Sequence, residues 1–475
     1  MDTRNAADAV AAVTATTRQG AVRGTREHGV AVFRGIPYAA PPVGALRFAA
    51  PAPPAPWDGV RDATAFGPTA PKPPYEEPFA TLLDDPVVPG EDCLNLNVWT
   101  PEPGPGARLP VMVWIHGGAL TRGSSAVPVY DGSAFARDGV VLVSLNYRLG
   151  VAGYGLFPDA VPNRGLLDQI AALEWVRDNI AGFGGDPDRV TVFGESAGAI
   201  STGVLLASPR AAGLFRQAVL QSGAPEALPR PHVRTMVRRM AARLKVPATA
   251  AAFAALPPQA LLAAQTVVQR RSSPLLGGPA FGIVEDGDAV PGDPLERLVT
   301  GRAAADVPLL MGWTSEEYRL WVAPTGLLRH MDRLGPVTLA FGALRGRATP
   351  AEIRSARAAR PGAAAGEVVG QLLTDRLLRD PLRRLAAAPR RATAHLYEFA
   401  WPSAVPGLGS CHALELGFVF DTLAMPGATS LTGPGAPQPL ADAMHAAWTS
   451  FATTGTPGWA PWHRSGSPHR FTHPA

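Results

Sequence analysis

The chain has 475 residues, of which 46% are hydrophobic and 17% are charged. That balance predicts a sizeable buried core and excludes a generally disordered protein. The formal net charge of +4 is small for this length, so neither nucleic acid nor an anionic membrane surface is an expected partner. The 50 Pro and 50 Gly are spread without a period, which predicts many turns and excludes a collagen-like fibre.

The two cysteines, Cys93 and Cys411, are too few for a disulfide framework or a cysteine-based metal site. Residues 1–20 contain Asp2, Arg4 and Asp8 and lack the apolar segment of a signal peptide. No apolar run reaches transmembrane length. We therefore expect a cytoplasmic protein, a monomer or a weak dimer, that needs neither a metal nor an organic cofactor.

Strands and helices alternate along most of the chain. Helical patterns such as residues 167–176 lie between continuous apolar runs, which indicate strands buried on both faces. The runs are residues 111–115, 140–145, 190–193, 218–220, 307–311 and 394–399. This alternation predicts an α/β fold with a large, mostly parallel central sheet flanked by helices.

The predicted domain organisation is simple. We expect a flexible N-terminal tail over residues 1–16 and a single domain over residues 17–475. Two stretches rich in Ala, Leu and Arg, at about 226–280 and 325–390, interrupt the strand–helix pattern. We interpret them as helical cap insertions over the sheet.

The strongest local signal is a G-x-S-x-G pentapeptide at residues 194–198, directly after the strand predicted at 190–193. A serine in a sharp strand-to-helix turn needs small neighbours, because the backbone there is crowded. The helix predicted over residues 199–207 would direct its N-terminal amides to the place where negative charge develops. The pattern predicts that Ser196 is a nucleophile.

A second motif, H-G-G-A at residues 116–119, also follows a predicted strand. Glycines let a substrate approach backbone N–H groups with no β-carbon in the way. Such a loop is expected to complement the serine turn by forming an oxyanion hole. We assign its donors to the N–H groups of Gly117, Gly118 and Ala197, and we assign a structural role to His116.

Serine is a weak nucleophile at neutral pH, so it needs a general base and an acidic group that orients the base. In this kind of fold the acid precedes the histidine along the chain. Most histidines after Ser196 lie on predicted helices or near the C-terminus, whereas His412 lies in a loop of small residues after the strand predicted at 394–399. Glu316 and Glu317 both follow the preceding predicted strand, and the pattern alone leaves either one as the acid.

Further motifs occur in a consistent order around these residues. They are G-I-P-Y-A (35–39), G-A-L-R-F (44–48), E-D-C-L-N-L-N-V (91–98), N-Y-R-L-G (146–150), N-R-G-L-L-D-Q (163–169), F-G-G-D-P (183–187) and Q-S-G (221–223). Together with the serine turn they resemble the type-B carboxylesterase family, which includes cholinesterases and bacterial p-nitrobenzyl esterases. The resemblance extends from about residue 18 to Pro461, nearly the whole chain.

The resemblance implies an α/β-hydrolase fold and a serine esterase. It selects Glu317 as the acid and supports His412 as the base. It also implies a buried ion pair between Arg47 and Glu91. Residues 68–98 contain no tryptophan, the residue with which a cholinesterase binds the choline cation, so a cholinesterase is not expected.

These observations predict a serine carboxylesterase that hydrolyses small-molecule carboxylic esters through an acyl-enzyme on Ser196. The same three side chains would also suit cleavage of a lactone, thioester, amide or carbamate. A non-catalytic binding member of the family typically lacks the nucleophile, so the presence of Ser196, Glu317 and His412 disfavours that alternative. Selectivity is expected to depend on pocket walls that include residues 72–90, 225–285 and 320–350.

Overall fold

The structure, a computed structural model, describes residues 12–270, 279–346 and 349–472. Its centre is a twelve-stranded sheet. In chain order the strands are β1 (Ala12–Thr17), β2 (Gly20–Glu27), β3 (Val30–Pro37), β4 (Val60–Asp62), β5 (Asn95–Thr100), β6 (Leu109–Ile115), β7 (Val141–Leu145), β8 (Gly185–Glu195), β9 (Gln217–Gln221), β10 (Leu309–Thr314), β11 (Ala394–Phe399) and β12 (His469–Phe471).

Helices occupy the connections between strands. They are α1 (Phe79–Leu82), α2 (Ser133–Arg137), α3 (Gly150–Tyr154), α4 (Arg164–Asn179), α5 (Ala197–Ala207), α6 (Arg230–Leu244), α7 (Ala250–Ala254), α8 (Pro258–Gln269), α9 (Pro294–Val299), α10 (Arg319–Val322), α11 (Leu327–Leu334), α12 (Pro336–Gly346), α13 (Pro350–Ala359), α14 (Ala365–Thr374), α15 (Asp380–Ala387), α16 (Leu416–Val419), α17 (Pro426–Thr432), α18 (Gln438–Thr454) and α19 (Trp462–Ser465). A π-helical turn, Asp375–Arg379, joins α14 to α15.

The sheet order is β1-β2-β3-β5-β7-β6-β8-β9-β10-β11-β12, with β4 paired to β2. The pairs from β7 through β6 to β12 are parallel. The pairs β1-β2, β2-β3, β3-β5 and β5-β7 are antiparallel, and β4 pairs parallel with β2. Each of the six apolar runs predicted as strands lies on one of β6 to β11. The predicted α/β fold with a large, mostly parallel central sheet is therefore confirmed.

Strand β6 shows why these runs are continuously apolar. Val111, Val113 and Ile115 belong to one buried hydrophobic cluster, and Met112 and Trp114 belong to a second. Successive side chains of a strand point to opposite faces of the sheet. Both faces of β6 are therefore covered, and neither leaves room for a polar position.

The parallel strands end at a common edge. Ile115 of β6 pairs with Gly194 of β8, and Gly312 of β10 pairs with Tyr397 of β11. Because the carboxyl ends of parallel strands face the same side, the loops that follow them converge there. The segments containing Gly117, Ser196, Glu317 and His412 all leave the sheet at this edge.

A buried ion pair joins the loop after β7 to helix α4. Arg148 donates from Nε and Nη2 to the two carboxylate oxygens of Asp168, at 2.8 and 2.6 Å. The two side chains are 3% and 0% exposed. Both residues lie in motifs that sequence analysis singled out, and this bidentate contact is one structural reason for those motifs.

The N-terminal tail prediction is wrong for residues 12–16, and residues 1–11 lie outside the described residues. The segment Ala12–Thr17 forms β1 and pairs antiparallel with β2 at the edge of the sheet. Its residues are Ala, Val and Thr, so it lacks the run of large apolar side chains that marks the central strands. Backbone pairing with β2 and the burial of Ala15 and Thr17 hold β1 in the sheet instead.

The implied Arg47–Glu91 ion pair is not formed. Arg47 instead donates from Nη1 to the carbonyl oxygens of Ala254 and Leu256, after the end of α7, and Glu91 is exposed. A helix contributed by the first predicted insertion thus supplies the acceptors for Arg47.

Helices are present in both predicted insertions. Helices α6 to α8 lie in the first, of which residues 271–278 fall outside the described residues, and α11 to α15 lie in the second. The division into a single domain with two cap insertions stays a prediction.

We expect Arg148→Met to lower the free energy of unfolding by about 3–5 kcal/mol, because it leaves the buried Asp168 carboxylate unpaired. Urea denaturation followed by circular dichroism measures the loss. Arg210→Met is the matched control, since its ion pair with Asp288 is exposed and should contribute little. Equal losses in the two variants would contradict the expectation.

Candidate active site

Ser196 lies in the turn between β8 and α5. Its backbone has φ 54° and ψ −121°, a conformation that costs a non-glycine residue on the order of 1–3 kcal/mol. Its N–H donates to the carbonyl oxygen of Gln221 on β9 at 2.9 Å. The side chain is half-buried and borders a large cavity. The strained turn thus presents the hydroxyl at the carboxyl edge of the sheet.

The glycines two residues on either side of Ser196 are sterically required. A β-carbon at Gly198 would lie 1.9 Å from the carbonyl oxygen of Ile115. One at Gly194 would lie 2.5 Å from the carbonyl carbon of Gly198. The start of α5 therefore packs directly on the end of β6, and a larger residue at either position would force them apart.

His412 is buried in the loop after β11, and Glu317 is fully buried in the loop after β10. The imidazole Nδ1 lies 2.5 Å from Glu317 Oε2. Glu317 Oε1 accepts a second hydrogen bond from the Thr314 N–H at 2.8 Å. The Trp321 ring packs against the imidazole, with 4.9 Å between centroids. The carboxylate and the imidazole are thus both held in a fixed orientation.

Glu316 makes different contacts. Its Oε1 accepts from Arg319 Nε at 2.7 Å, and its Oε2 accepts from the Ser410 N–H at 3.1 Å. Of the two glutamates that the sequence pattern left open, only Glu317 contacts His412.

A second carboxylate faces the other nitrogen of the imidazole. His412 Nε2 lies 2.9 Å from Glu195 Oε1. Burial by itself would lower the pKa of His412, but the charges of Glu195 and Glu317 and their hydrogen bonds outweigh it and raise the pKa well above its ordinary value. The carboxylates near the two nitrogens thus favour the protonated imidazole.

A third carboxyl group, that of Glu415, is fully buried close by. Burial, followed by the charges of Glu195 and Glu317, raises the pKa of Glu415 to about 8. Gln221 Nε2 donates to its Oε1 at 3.4 Å. The surroundings of Glu415 thus favour its neutral form, which carries no further negative charge toward His412.

The predicted oxyanion-hole residues lie beside Ser196. A β-carbon at Gly117 would lie 3.3 Å from Ser196 Cβ, so the loop after β6 passes next to the serine. Within the described residues, the N–H groups of Gly117, Gly118 and Ala197 donate to no other backbone or side-chain group. Three unused backbone donors next to one hydroxyl can stabilise a developing negative charge.

His116 is packed beneath this loop. Its Nδ1 lies 2.8 Å from the carbonyl oxygen of Gly117, and its ring stacks on Tyr147 at 4.5 Å. Burial lowers the pKa of His116 to about 3, so the imidazole is neutral. These contacts fit the structural role assigned to His116.

A cavity of about 1270 Å³ opens over Ser196, above the ~300–1,000 Å³ usual for small-molecule pockets. Among its described lining residues, those contributed from Tyr318 to Leu373 include no Asp, Glu, Lys or Arg. Another part of the lining carries Glu76, Glu77 and Asp84 together with Arg122 and Arg270, and Arg270 forms an ion pair with Glu76. The cavity thus has one largely apolar wall and one charged part.

Comparison with known proteins identifies the family. Residues 11–470 match a family model described as "Carboxylesterase family". The chain belongs to this family. It is a carboxylic ester hydrolase, and the resemblance found in the sequence is confirmed.

The relatives match over nearly their full length. The para-nitrobenzyl esterase of Bacillus subtilis (strain 168) is 37% identical over 94% of this chain and 92% of its own. The phenmedipham hydrolase of Pseudarthrobacter oxydans is 36% identical over 93% of this chain and 90% of its own. A crystal structure of a Geobacillus stearothermophilus carboxylesterase superposes with a TM-score of 0.80, at 37% identity, and covers 97% of this chain and 96% of that one. This carboxylesterase therefore shares the α/β-hydrolase fold of its family.

Three further features of this carboxylesterase concern membranes, metal ions and cysteines. No helix in the described ranges is long and apolar enough to cross a membrane. Nor do three or more side chains of the metal-binding types cluster in the part of the chain that the structure describes. Cys93 and Cys411 are buried free thiols.

Sequence reasoning about this carboxylesterase missed three side chains around His412, those of Glu195, Glu415 and Trp321. Glu195 occupies a variable position of the G-x-S-x-G motif, where a carboxylate beside a nucleophile is itself a signal. Glu415 lies three residues beyond His412 in a segment that was already singled out. The cavity walls at residues 366–373 and 414–431 had no local signal, because distant parts of the chain build them together.

We expect Glu195→Gln to lower the pKa of His412. The Glu195 carboxylate faces Nε2 and stabilises the imidazolium, and the variant removes its negative charge. The pKa of His412 should therefore move back toward its ordinary value. A proton NMR titration of the His412 imidazole measures the change. Glu102→Gln is the control, because Glu102 is the exposed member of an ion pair with Arg26, and this variant should leave the pKa of His412 unchanged. An unchanged His412 titration in Glu195→Gln would contradict the expectation.

Proposed function

We propose that this carboxylesterase hydrolyses carboxylic esters by two-step acyl transfer, with Ser196 as nucleophile, His412 as general base and Glu317 as the group that orients the base. The observation that carries the proposal is the Glu317–His412 contact at 2.5 Å, next to a serine held in a strained turn. A nucleophile, a base and an orienting acid within one buried site constitute the machinery of serine acyl transfer.

In the first step His412 accepts the hydroxyl proton of Ser196 as the oxygen attacks the ester carbonyl. Glu317 stabilises the imidazolium that forms, and the N–H groups of Gly117, Gly118 and Ala197 donate to the oxyanion. The alcohol leaves with the proton from His412. Water, deprotonated by His412, then attacks the acyl-enzyme and releases the acid.

The contact between Nε2 and Glu195 adds a condition to this mechanism. Nε2 is the nitrogen that must accept the Ser196 proton, and it lies 2.9 Å from Glu195 Oε1. A protonated Nε2 cannot accept that proton, so catalysis requires the neutral imidazole. Activity should rise with pH through the raised pKa of His412.

The cavity supports small-molecule esters as substrates. Its largely apolar wall suits an uncharged acyl or alcohol group, since the described lining residues from Tyr318 to Leu373 include no Asp, Glu, Lys or Arg that could pair with a charge. The name of the para-nitrobenzyl esterase relative makes para-nitrobenzyl and p-nitrophenyl esters suitable first test substrates. Lactones, thioesters, amides and carbamates fit the same three side chains, and a substrate panel that includes them ranks the classes.

We expect Ser196→Ala to lower kcat on p-nitrophenyl esters by about 10⁴-fold or more, because the nucleophile is lost. Steady-state kinetics measures the change. A fluorophosphonate probe should label the wild type at Ser196 and leave the variant unlabelled. A variant with near-normal turnover would rule the mechanism out, and an unlabelled wild type would favour a binding protein.

We expect Glu317→Gln to lower kcat by about a thousandfold or more, since the amide cannot stabilise the imidazolium. Glu316→Gln is the matched control, because its carboxylate faces Arg319 and Ser410, and its kcat should stay within about tenfold of wild type. The same ester assay measures both variants. A large loss in Glu316→Gln alone would overturn the assignment of Glu317.

A further inference from the structure

Lys72 is a buried cation that the mechanism above does not use. Its side chain is 1% exposed, and that of its partner Asp85 is 6% exposed. The ammonium group contacts Asp85 Oδ1 and also donates to the carbonyl oxygen of Gly123 at 3.2 Å. Burial lowers the pKa of Lys72 and raises the pKa of Asp85, because both charges have lost their hydration. The contact between the two charges must offset this desolvation free energy.

Gly123 links this ion pair to the oxyanion loop. A β-carbon at Gly118 would lie 2.3 Å from Arg122 O and 3.0 Å from Gly123 N. A β-carbon at Gly123 would lie 2.4 Å from the carbonyl oxygen of Gly117. The backbone of residues 122–123 therefore packs directly against both glycines that present N–H groups beside Ser196.

The pair holds Gly123 through its carbonyl oxygen. Lys72 donates to that oxygen, and Asp85 in turn holds the Lys72 ammonium group. A shift of Gly123 would therefore disturb the contact with Lys72.

The pair also lies inside a segment that lines the cavity. Thr69 and Val88 close this segment at its base, where the Thr69 N–H donates to the Val88 carbonyl oxygen at 3.0 Å. Between them the chain contributes Tyr75, Phe79 and Leu83 to the cavity. Lys72 and Asp85 thus fasten a substrate-facing segment to the loop that carries two oxyanion donors.

We propose that Lys72 and Asp85 are positioning residues that hold the Gly117–Gly118 backbone in the geometry needed to stabilise the oxyanion. The inference rests on the proposed function of Ser196 and of the oxyanion hole.

A purely stabilising role does not need these charges. Apolar side chains of similar volume often replace a buried ion pair at no loss of stability. Only a donor at position 72, however, can hold the Gly123 carbonyl oxygen. Removing both charges together therefore distinguishes a role in stability from a role in positioning the backbone.

The experiment compares Lys72→Met, Asp85→Asn and the double variant K72M/D85L with wild type. Thermal unfolding, kcat and KM on p-nitrophenyl butyrate, and affinity for a trifluoromethyl ketone that forms an oxyanion on the serine are measured for each. Arg34→Met is the control, since it breaks a half-buried ion pair with Glu27 on β2, remote from the site. Lys72→Arg tests rescue by another cation.

We expect Lys72→Met to unfold at a lower temperature and to lose about a hundredfold in kcat, with KM changed less than about threefold. K72M/D85L should regain thermal stability but not kcat, and its affinity for the ketone should fall by the same factor as kcat. Asp85→Asn should show a smaller kcat loss, Lys72→Arg should recover part of the rate, and Arg34→Met should keep a wild-type kcat while losing stability.

The inference is overturned if K72M/D85L regains both stability and kcat, or if every folded variant keeps a wild-type kcat. Either result would make the pair a device for stability alone. An active Ser196→Ala variant would instead overturn the proposed function itself, so the two failures are distinguishable.

Discussion

The contact between the Gly198 backbone and the carbonyl oxygen of Ile115 is the constraint on which the site depends. Because no β-carbon stands between them, α5 starts directly against the end of β6. That approach brings the serine turn of β8 beside the glycine loop that follows β6. The oxyanion donors proposed at Gly117, Gly118 and Ala197 depend on this approach, and the strain at Ser196 is supported by the elements packed around the turn.

Electrostatics decides which protonation states this geometry can use. Glu195, Glu317 and Glu415 surround a single imidazole in a buried region where charges interact strongly. The negative charges of Glu195 and Glu317 favour a protonated His412, and burial among carboxylates favours a protonated Glu415. The proposed chemistry requires the neutral form of His412, so its rate should depend on pH.

Two buried ion pairs lie outside the candidate site, and their chemistry differs. Arg148 holds Asp168 through two parallel hydrogen bonds, a rigid geometry that suits the junction of a strand loop and a helix. Lys72 is a compact charge that contacts a carboxylate and a carbonyl oxygen at once. A lysine suits a position that has one charged and one neutral acceptor, because its three donors can point in different directions.

Local sequence pattern was sufficient to predict the central strands, the serine turn and the H-G-G loop. Each of them is specified by a few consecutive residues that meet a steric or hydrophobic requirement. Order along the chain added His412, but it left Glu316 and Glu317 open until a family resemblance was used. Tertiary structure alone decided that only Glu317 reaches His412, that Arg47 binds carbonyl groups near α7 and that residues 12–16 join the sheet. It also brought Lys72 to Gly123. Each of these contacts joins residues that are far apart along the chain, so no local sequence pattern predicts it. Such contacts are determined by the packing of the folded chain.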